Sequence, residues 1–179
     1  MRLIGIPVRS FSGAKVRLAP ALDEAERASL ARRLAAHTLE VARACGDVAV
    51  VTADSEVADW AESVGVGVIR DPGHGLDAAA EAVVAAADGR PWAVLHADLP
   101  LLDVTELVRA LGAADRAGAC LAPSSDGGTA LVAAEGTFAF AYGPGSFHRH
   151  QRTRPDAVVV VAPGLAVDVD RPADLSVLD

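Results

Sequence analysis

Lysine is almost absent from this 179-residue chain: of 16 basic residues only one, Lys15, is a lysine. An arginine-rich balance can follow from genome base composition, so the arginines as a class carry no message, whereas the position of the lone lysine does. Cysteine is scarce too. Cys45 and Cys120 stand in apolar surroundings at neither metal-binding nor redox spacing, which excludes a disulfide framework and a zinc site and suits a reducing cytosol. No apolar run approaches the roughly 20 residues of a membrane span, and residues 1–20 lack a signal-peptide core with a cleavage site. A cytoplasmic protein is therefore expected. Positive charge is in deficit, with a net charge of −8, which argues against a nucleic acid or a membrane as partner. Internal repeats, low-complexity tracts and linkers are missing as well. With 51% hydrophobic and 22% charged residues, disorder is excluded, and residues 1–179 are expected to form a single domain.

The apolar stretches that are present alternate between strand and helix signatures. Leu3–Val8, Asp47–Thr52, Val66–Ile69, the run from Trp92 to Asp98, Ala119–Pro123, Ala130–Ala134, Val158–Val161 and Leu165–Asp170 read as strands. Between the earlier strands, helical periods follow Asp23-Glu-Ala-Glu26, Ser55 and Asp77, and another follows Asp103-Val-Thr-Glu106. The Asp23 and Asp103 segments have the spacing of a capping box. Pro172 opens a last short helix at its favoured first position. This order predicts an α/β fold: one doubly wound, mostly parallel sheet with helices on both faces.

Trp92-Ala-Val-Leu-His-Ala-Asp98-Leu-Pro100 is an apolar run that ends on an acid and a turn. In open α/β sheets, ligands bind beyond the carboxyl ends of the strands, so Asp98 is a candidate for that rim; the alternative is a carboxylate capping the turn. Arg9–Pro20 carries Arg9, Lys15 and Arg17 with no acid, and is either an anion cradle or a solvated loop. It is neither a Walker A sequence nor a spaced-glycine dinucleotide fingerprint. Gly73 and Gly75 allow close approach of backbone to a ligand. Ser124–Thr129 offers Gly-Gly-Thr amides and a hydroxyl to an anionic oxygen, or is ordinary hairpin chemistry. In Tyr142–His150, Gly143 and Gly145 free the backbone and Ser146 suits a helix N-cap, an arrangement that binds phosphate or carboxylate. His148 and His150, two apart on a helix, diverge and do not form a metal pair.

Asp168 and Asp170, two apart on an extended segment, point to one face. Together with Asp98 they would offer Mg²⁺ the hard oxygens it takes beside substrate phosphates. Lys15 and Arg17 would neutralise phosphate charge. Nothing resembles a Ser/His/Asp nucleophile set. The composite points to metal-assisted nucleotidyl or phosphoryl transfer.

The motifs Pro-Val-Arg-x-x-x-x-Ala-Lys-x-Arg-Leu-Ala-Pro (7–20), Asp-Pro-Gly-x-Gly-Leu (71–76), Ala-Asp-Leu-Pro-Leu-Leu (97–102), Gly-Gly-Thr (127–129), Tyr-Gly-Pro-Gly-Ser-Phe-x-x-His (142–150) and Asp-x-Asp-x-Pro-x-Asp-Leu (168–175) occur in order. Together they resemble the 2-phospho-L-lactate or phosphoenolpyruvate guanylyltransferases of coenzyme F-420 biosynthesis, within the molybdenum-cofactor-guanylyltransferase-like nucleotidyltransferases. The resemblance implies transfer of GMP from GTP to a phosphorylated three-carbon acid, with release of pyrophosphate. It implies Asp98, Asp168 and Asp170 as metal ligands, and Lys15 and Asp98 as catalytic. Pro7, Val8, Lys15, Arg17 and Gly75 are the implied nucleotide-binding residues, and Thr129, Gly143 and Ser146 the acid-binding ones. Two positions depart from the pattern: Arg9 replaces a usual lysine, and Asp77 puts an acid where asparagine is common. The same residues are compatible with a same-fold enzyme using another nucleotide or acceptor, such as CTP and a polyol phosphate, or with a silent binding or scaffold relative. Retention of Lys15 and all three aspartates speaks against the last. Guanine, the choice of acid and the oligomeric state are not legible in the chain.

Overall fold

The structure, a computed structural model, describes residues 1–178; residue 179, the end of the expected domain, lies outside the described residues. Seven strands form one sheet: β1 (Leu3–Pro7), β2 (Asp47–Thr52), β3 (Gly67–Arg70), β4 (Trp92–Leu95), β5 (Ala119–Pro123), β6 (Thr129–Ala134) and β7 (Val158–Val159). Their order is β3-β2-β1-β4-β6-β5-β7. The β3-β2-β1-β4 half is parallel, as the strand–helix alternation predicts. β6 runs antiparallel to both β4 and β5, because it leaves β5 through a hairpin rather than a crossover helix. β7 then pairs parallel to β5 at the edge.

Side-chain alternation builds the two faces of this sheet. In β1, Ile4 and Ile6 join one core cluster and Leu3 the other; in β4, Ala93 and Leu95 join the first, Trp92 and Val94 the second. The first cluster lies under helices α1 (Glu24–Arg43), α2 (Ser55–Ser63) and α4 (Val104–Ala117), through residues such as Leu39, Val57 and Leu107. The second lies under α3 (Leu76–Ala87), through Ala80 and Val83. All four residues of β4 are buried, as a central strand covered on both faces requires. No helix among the described residues is long and apolar enough to cross a membrane.

Asp23 closes a full capping box with Glu26. Asp103 accepts from Glu106 N–H, but Glu106 does not reach back: its Oε2 accepts from the backbone N–H of Gly164 at 2.8 Å. That contact accounts for a correction. Residues 165–170 were expected to end the sheet as a strand, yet Pro163–Ala166 make a single helical turn, α6, and 167–170 run irregularly. Glu106 ties α6 to α4, and Val169 is buried with Leu18, Leu30 and Leu34 rather than in the sheet. The expected strand 158–161 is likewise cut to two residues. A final 3₁₀ segment, Pro172–Leu178, follows, with the Asp174 carboxylate accepting from the N–H groups of Asp170 and Arg171.

Candidate active site

The cationic loop 9–20 is anchored by buried Phe11 and Leu18, and folds over the carboxyl end of β1. Lys15 takes left-handed backbone geometry (φ 52°, ψ 41°) just before the 3₁₀ turn Val16–Leu18. Non-glycine residues rarely adopt that region, and outliers of this kind gather at functional sites. The turn sends the Lys15 side chain inward: Nζ donates to Asp98 Oδ2 at 2.5 Å and to Asp170 Oδ1 at 3.1 Å. Arg17, largely exposed, donates to the other oxygen of Asp170 at 3.1 Å. Burial opposes the charge on Lys15, but Asp98 and Asp170 outweigh it and raise the ammonium's pKa above 10.5. Burial likewise acts to raise the pKa of Asp98, and Lys15 and His96 outweigh that and lower it below 3.8. Lys15 is thus drawn inward from a loop in which Arg9 and Arg17 stay exposed. Asp98 stands three residues beyond the end of β4 and is held by Lys15.

Pro7, Val8, Lys15, Asp98 and Asp170 line one cavity of about 650 Å³. Pro7 and Gly75 line a second, of about 700 Å³, and the two share Pro7, Arg9, Ser10 and Leu76. The expected nucleotide residues thus converge on a two-lobed cleft, Arg17 excepted. Gly75, at φ 94°, begins α3 in a conformation that side-chain-bearing residues resist. Arg17 opens instead onto a smaller cavity of about 300 Å³ with Asp126, Asp168 and Asp170.

The three expected metal ligands are not gathered into one cluster. Among the described residues, no three His, Cys, Asp or Glu side chains stand close enough to hold an ion. The Lys15 ammonium stands between Asp98 and Asp170, and Asp168 faces the smaller cavity. Burial pushes the Asp168 carboxyl up to about 6, with Asp98, Asp126 and Asp170 adding to the effect. Hard oxygens carrying such surplus negative charge suit Mg²⁺, which needs only one or two carboxylates when phosphates complete its shell. The donor chemistry fits the ion even though a closed protein cage is lacking.

The acid-site candidates form a separate group. Thr129 begins β6 and is fully buried; Ser146 is 2% exposed. Ser146 was expected to cap the following helix, but Gly145 is the N-cap of α5 (Ser146–Thr153), and no side chain caps it. Of the two readings of Gly127 and Gly128, anion contact or hairpin chemistry, their amides follow the second: Gly127 N–H donates to Ser124 O and Gly128 N–H to Asp126 Oδ1 inside the β5–β6 hairpin. Gly143, at φ 112°, lies in a strapped loop. Arg149 donates to the carbonyls of Ala141, Tyr142 and Pro144, and Asp77 Oδ1 accepts from Tyr142 N–H at 2.7 Å. The acid at position 77 therefore holds this loop.

His96, Asp126 and His150 escaped the sequence reading as site residues. His96 lines the Lys15–Asp98 cavity, its backbone N–H donates to Ala130 O at 2.9 Å, and its buried Nε2 has no partner. It lies between the Lys15–Asp98 cavity and the Thr129 group, with its ring 5.7 Å from that of Tyr142. Its spacing from Asp98, two residues on the same run, was the available signal.

The family model "Guanylyl transferase CofC like" matches residues 1–178. A phosphoenolpyruvate guanylyltransferase from Geodermatophilus obscurus is 39% identical over 95% of this chain and 84% of its own length. One from Streptomyces coelicolor is 39% identical over 95% of this chain and 86% of its own. A crystal structure from Desulfovibrio desulfuricans G20, named as a nucleotide-diphospho-sugar transferase, superposes with a TM-score of 0.80 over 99% of this chain and 87% of its own, at 20% identity. That last likeness shows the shared fold. With the family match spanning every described residue, the chain belongs to the CofC-like guanylyl transferases.

Proposed function

We propose that the protein transfers GMP from GTP to phosphoenolpyruvate, with 2-phospho-L-lactate as the alternative acceptor, in coenzyme F-420 biosynthesis. A phosphate oxygen of the acid bonds to the α-phosphorus of GTP, the bond from that phosphorus to the bridging oxygen of the β-phosphate breaks, and pyrophosphate leaves. The observation that carries this reading is the Lys15–Asp98–Asp170 cluster at the edge of a two-lobed cleft. The relatives named phosphoenolpyruvate guanylyltransferases support the choice of donor and acceptor. Lys15 and Arg17 supply positive charge to the phosphates, and Pro7, Val8 and Gly75 bound the nucleotide. Mg²⁺ would be held by one or two carboxylates drawn from Asp98, Asp168 and Asp170, with phosphates completing its shell. When bound, the ion would neutralise phosphate charge and align the in-line displacement. Thr129, Gly143 and Ser146 serve the acid.

Incubation with GTP, Mg²⁺ and each acid, followed by mass detection of the guanylylated product, tests the assignment; ATP and CTP serve as controls. The expected result is product from GTP with at least one of the acids. Product only from CTP, or none from any nucleotide, overturns it. Asp98→Asn is expected to abolish most turnover while leaving the circular-dichroism spectrum unchanged, and near-wild-type turnover would mean that the site is misplaced.

A further inference from the structure

Thr129 Oγ1 lies 3.1 Å from Ser146 Oγ and 3.0 Å from His150 Nδ1. On the far side of the imidazole, the backbone N–H of Ala141 donates to His150 Nε2 at 2.9 Å. An amide N–H only donates, so Nε2 carries no proton and the neutral ring bears its proton on Nδ1. Nδ1–H then donates to Thr129 Oγ1. Burial keeps the ring neutral, lowering its pKa to about 4. The ring cannot turn over freely, because Tyr142 meets it edge-on at 4.8 Å and Phe138 at 5.5 Å, while Arg149 holds the carbonyls of Ala141 and Tyr142.

His150 Nδ1–H, Thr129 O–H and Ser146 O–H supply three protons. One is used between His150 and Thr129, and one between the two hydroxyls, whichever of them donates. One hydroxyl proton is left without an acceptor among the described residues. In the opposite tautomer Thr129 would donate to Nδ1 and Ser146 to Thr129, leaving none spare, and Nε2–H would face the Ala141 N–H donor to donor.

We infer that His150 is a positioning residue: by fixing its proton on Nδ1 it leaves the Thr129–Ser146 pair one unclaimed hydroxyl proton, so that the pair binds an anionic oxygen of the acceptor acid. The inference rests on the proposed acid-binding role of that pair. A buried donor without an acceptor is costly, and an anionic oxygen is the strongest group that can satisfy it.

Imidazole ¹⁵N spectra of the wild-type protein test the tautomer directly, and a protonated Nε2 overturns the inference at once, whether or not any variant folds. Steady-state kinetics then separate roles. His150→Phe is expected to raise KM for the phosphorylated acid about tenfold or more, the loss of one hydrogen bond to a charged group, with KM for GTP within about twofold. His150→Asn, whose amide N–H reaches the place of Nδ1, is expected to recover acid binding; His150→Gln, whose amide reaches the place of Nε2, is not. Rescue by Gln and not by Asn would reduce His150 to a latch for Ala141. If the wild type guanylylates no acid, the proposed function fails while the ¹⁵N spectra still decide the tautomer. If it does guanylylate one and His150→Phe leaves the acid KM unchanged, the inference alone fails.

Discussion

Lys15 brings together backbone strain, burial and two carboxylates, so its replacement separates chemistry from architecture. Lys15→Ala is expected to lower kcat by roughly 10²–10³, the scale on which a preorganised charge donor contributes. Unchanged kinetics with only a shifted melting temperature would remove Lys15 from the chemistry. Asp168 is the opposite case, a carboxyl held against its surroundings. Burial and the nearby Asp98, Asp126 and Asp170 raise its folded pKa from 3.8 to about 6. A raised pKa means that its ionised form is disfavoured in the folded state, so its contribution to stability is present below the unfolded value and lost as pH rises through about 6. At pH 7 without divalent cation, Asp168→Asn is expected to melt above wild type while losing activity, as function-driven charge crowding predicts. An equal or lower melting temperature in chelator would contradict this account of Asp168.

Among the elements, the fit of α3 against β1 depends on one missing side chain. A Cβ at Gly5 would stand 2.2 Å from Val83 Cγ2, so α3 approaches the strand where glycine leaves room. Gly5→Ala is expected to cost about 1–3 kcal/mol in urea unfolding, the usual penalty for overpacking. Adding Val83→Ala should recover part of that loss, giving a favourable coupling between the two positions. Strictly additive losses would show that the close approach is not the cause. The same scale explains Glu106. Its spacing from Asp103 satisfies the local capping rule, but the Gly164 amide arrives from 58 residues away and takes the carboxylate.

For the molecule as a whole, the buried groups set the acid limit. His150, completely buried, has its pKa lowered from 6.5 to about 4 by burial above all; Arg149 and His96 push it the same way, and Asp77 opposes them. A depressed folded pKa means that the unfolded chain binds the proton more readily, so stability is present above 6.5 and lost as pH falls toward about 4. Asp126, lowered chiefly by the Ser124 hydroxyl and the Gly128 amide, adds a loss below about 3.8. Asp168, with its raised pKa, works the other way over part of this range, so the effect of His150 shows as a difference: the urea midpoint of wild type is expected to fall relative to that of His150→Gln as pH drops from 6.5 to 4. A gap between wild type and His150→Gln that stays constant across this window would show that His150 does not remain neutral in the folded protein.

What the sequence determined by itself was whatever short-range physics controls. Short unbroken apolar runs located β2 and β4, Asp23 and Glu26 started α1, and Lys15 stood out as the lone lysine in a loop without acids. Asp98 and Asp170 were legible as residues, and the tertiary structure decided that both close on Lys15. The insertion of β6 beside β4, the turn at 163–166 and the role of Asp77 depended on partners tens of residues away, which no local pattern encodes, whereas the hairpin from β5 to β6 was one of the two readings of Ser124–Thr129. The proton on His150 is the clearest case. An isolated imidazole can carry it on either nitrogen, and only the Ala141 amide arriving at Nε2 makes the choice.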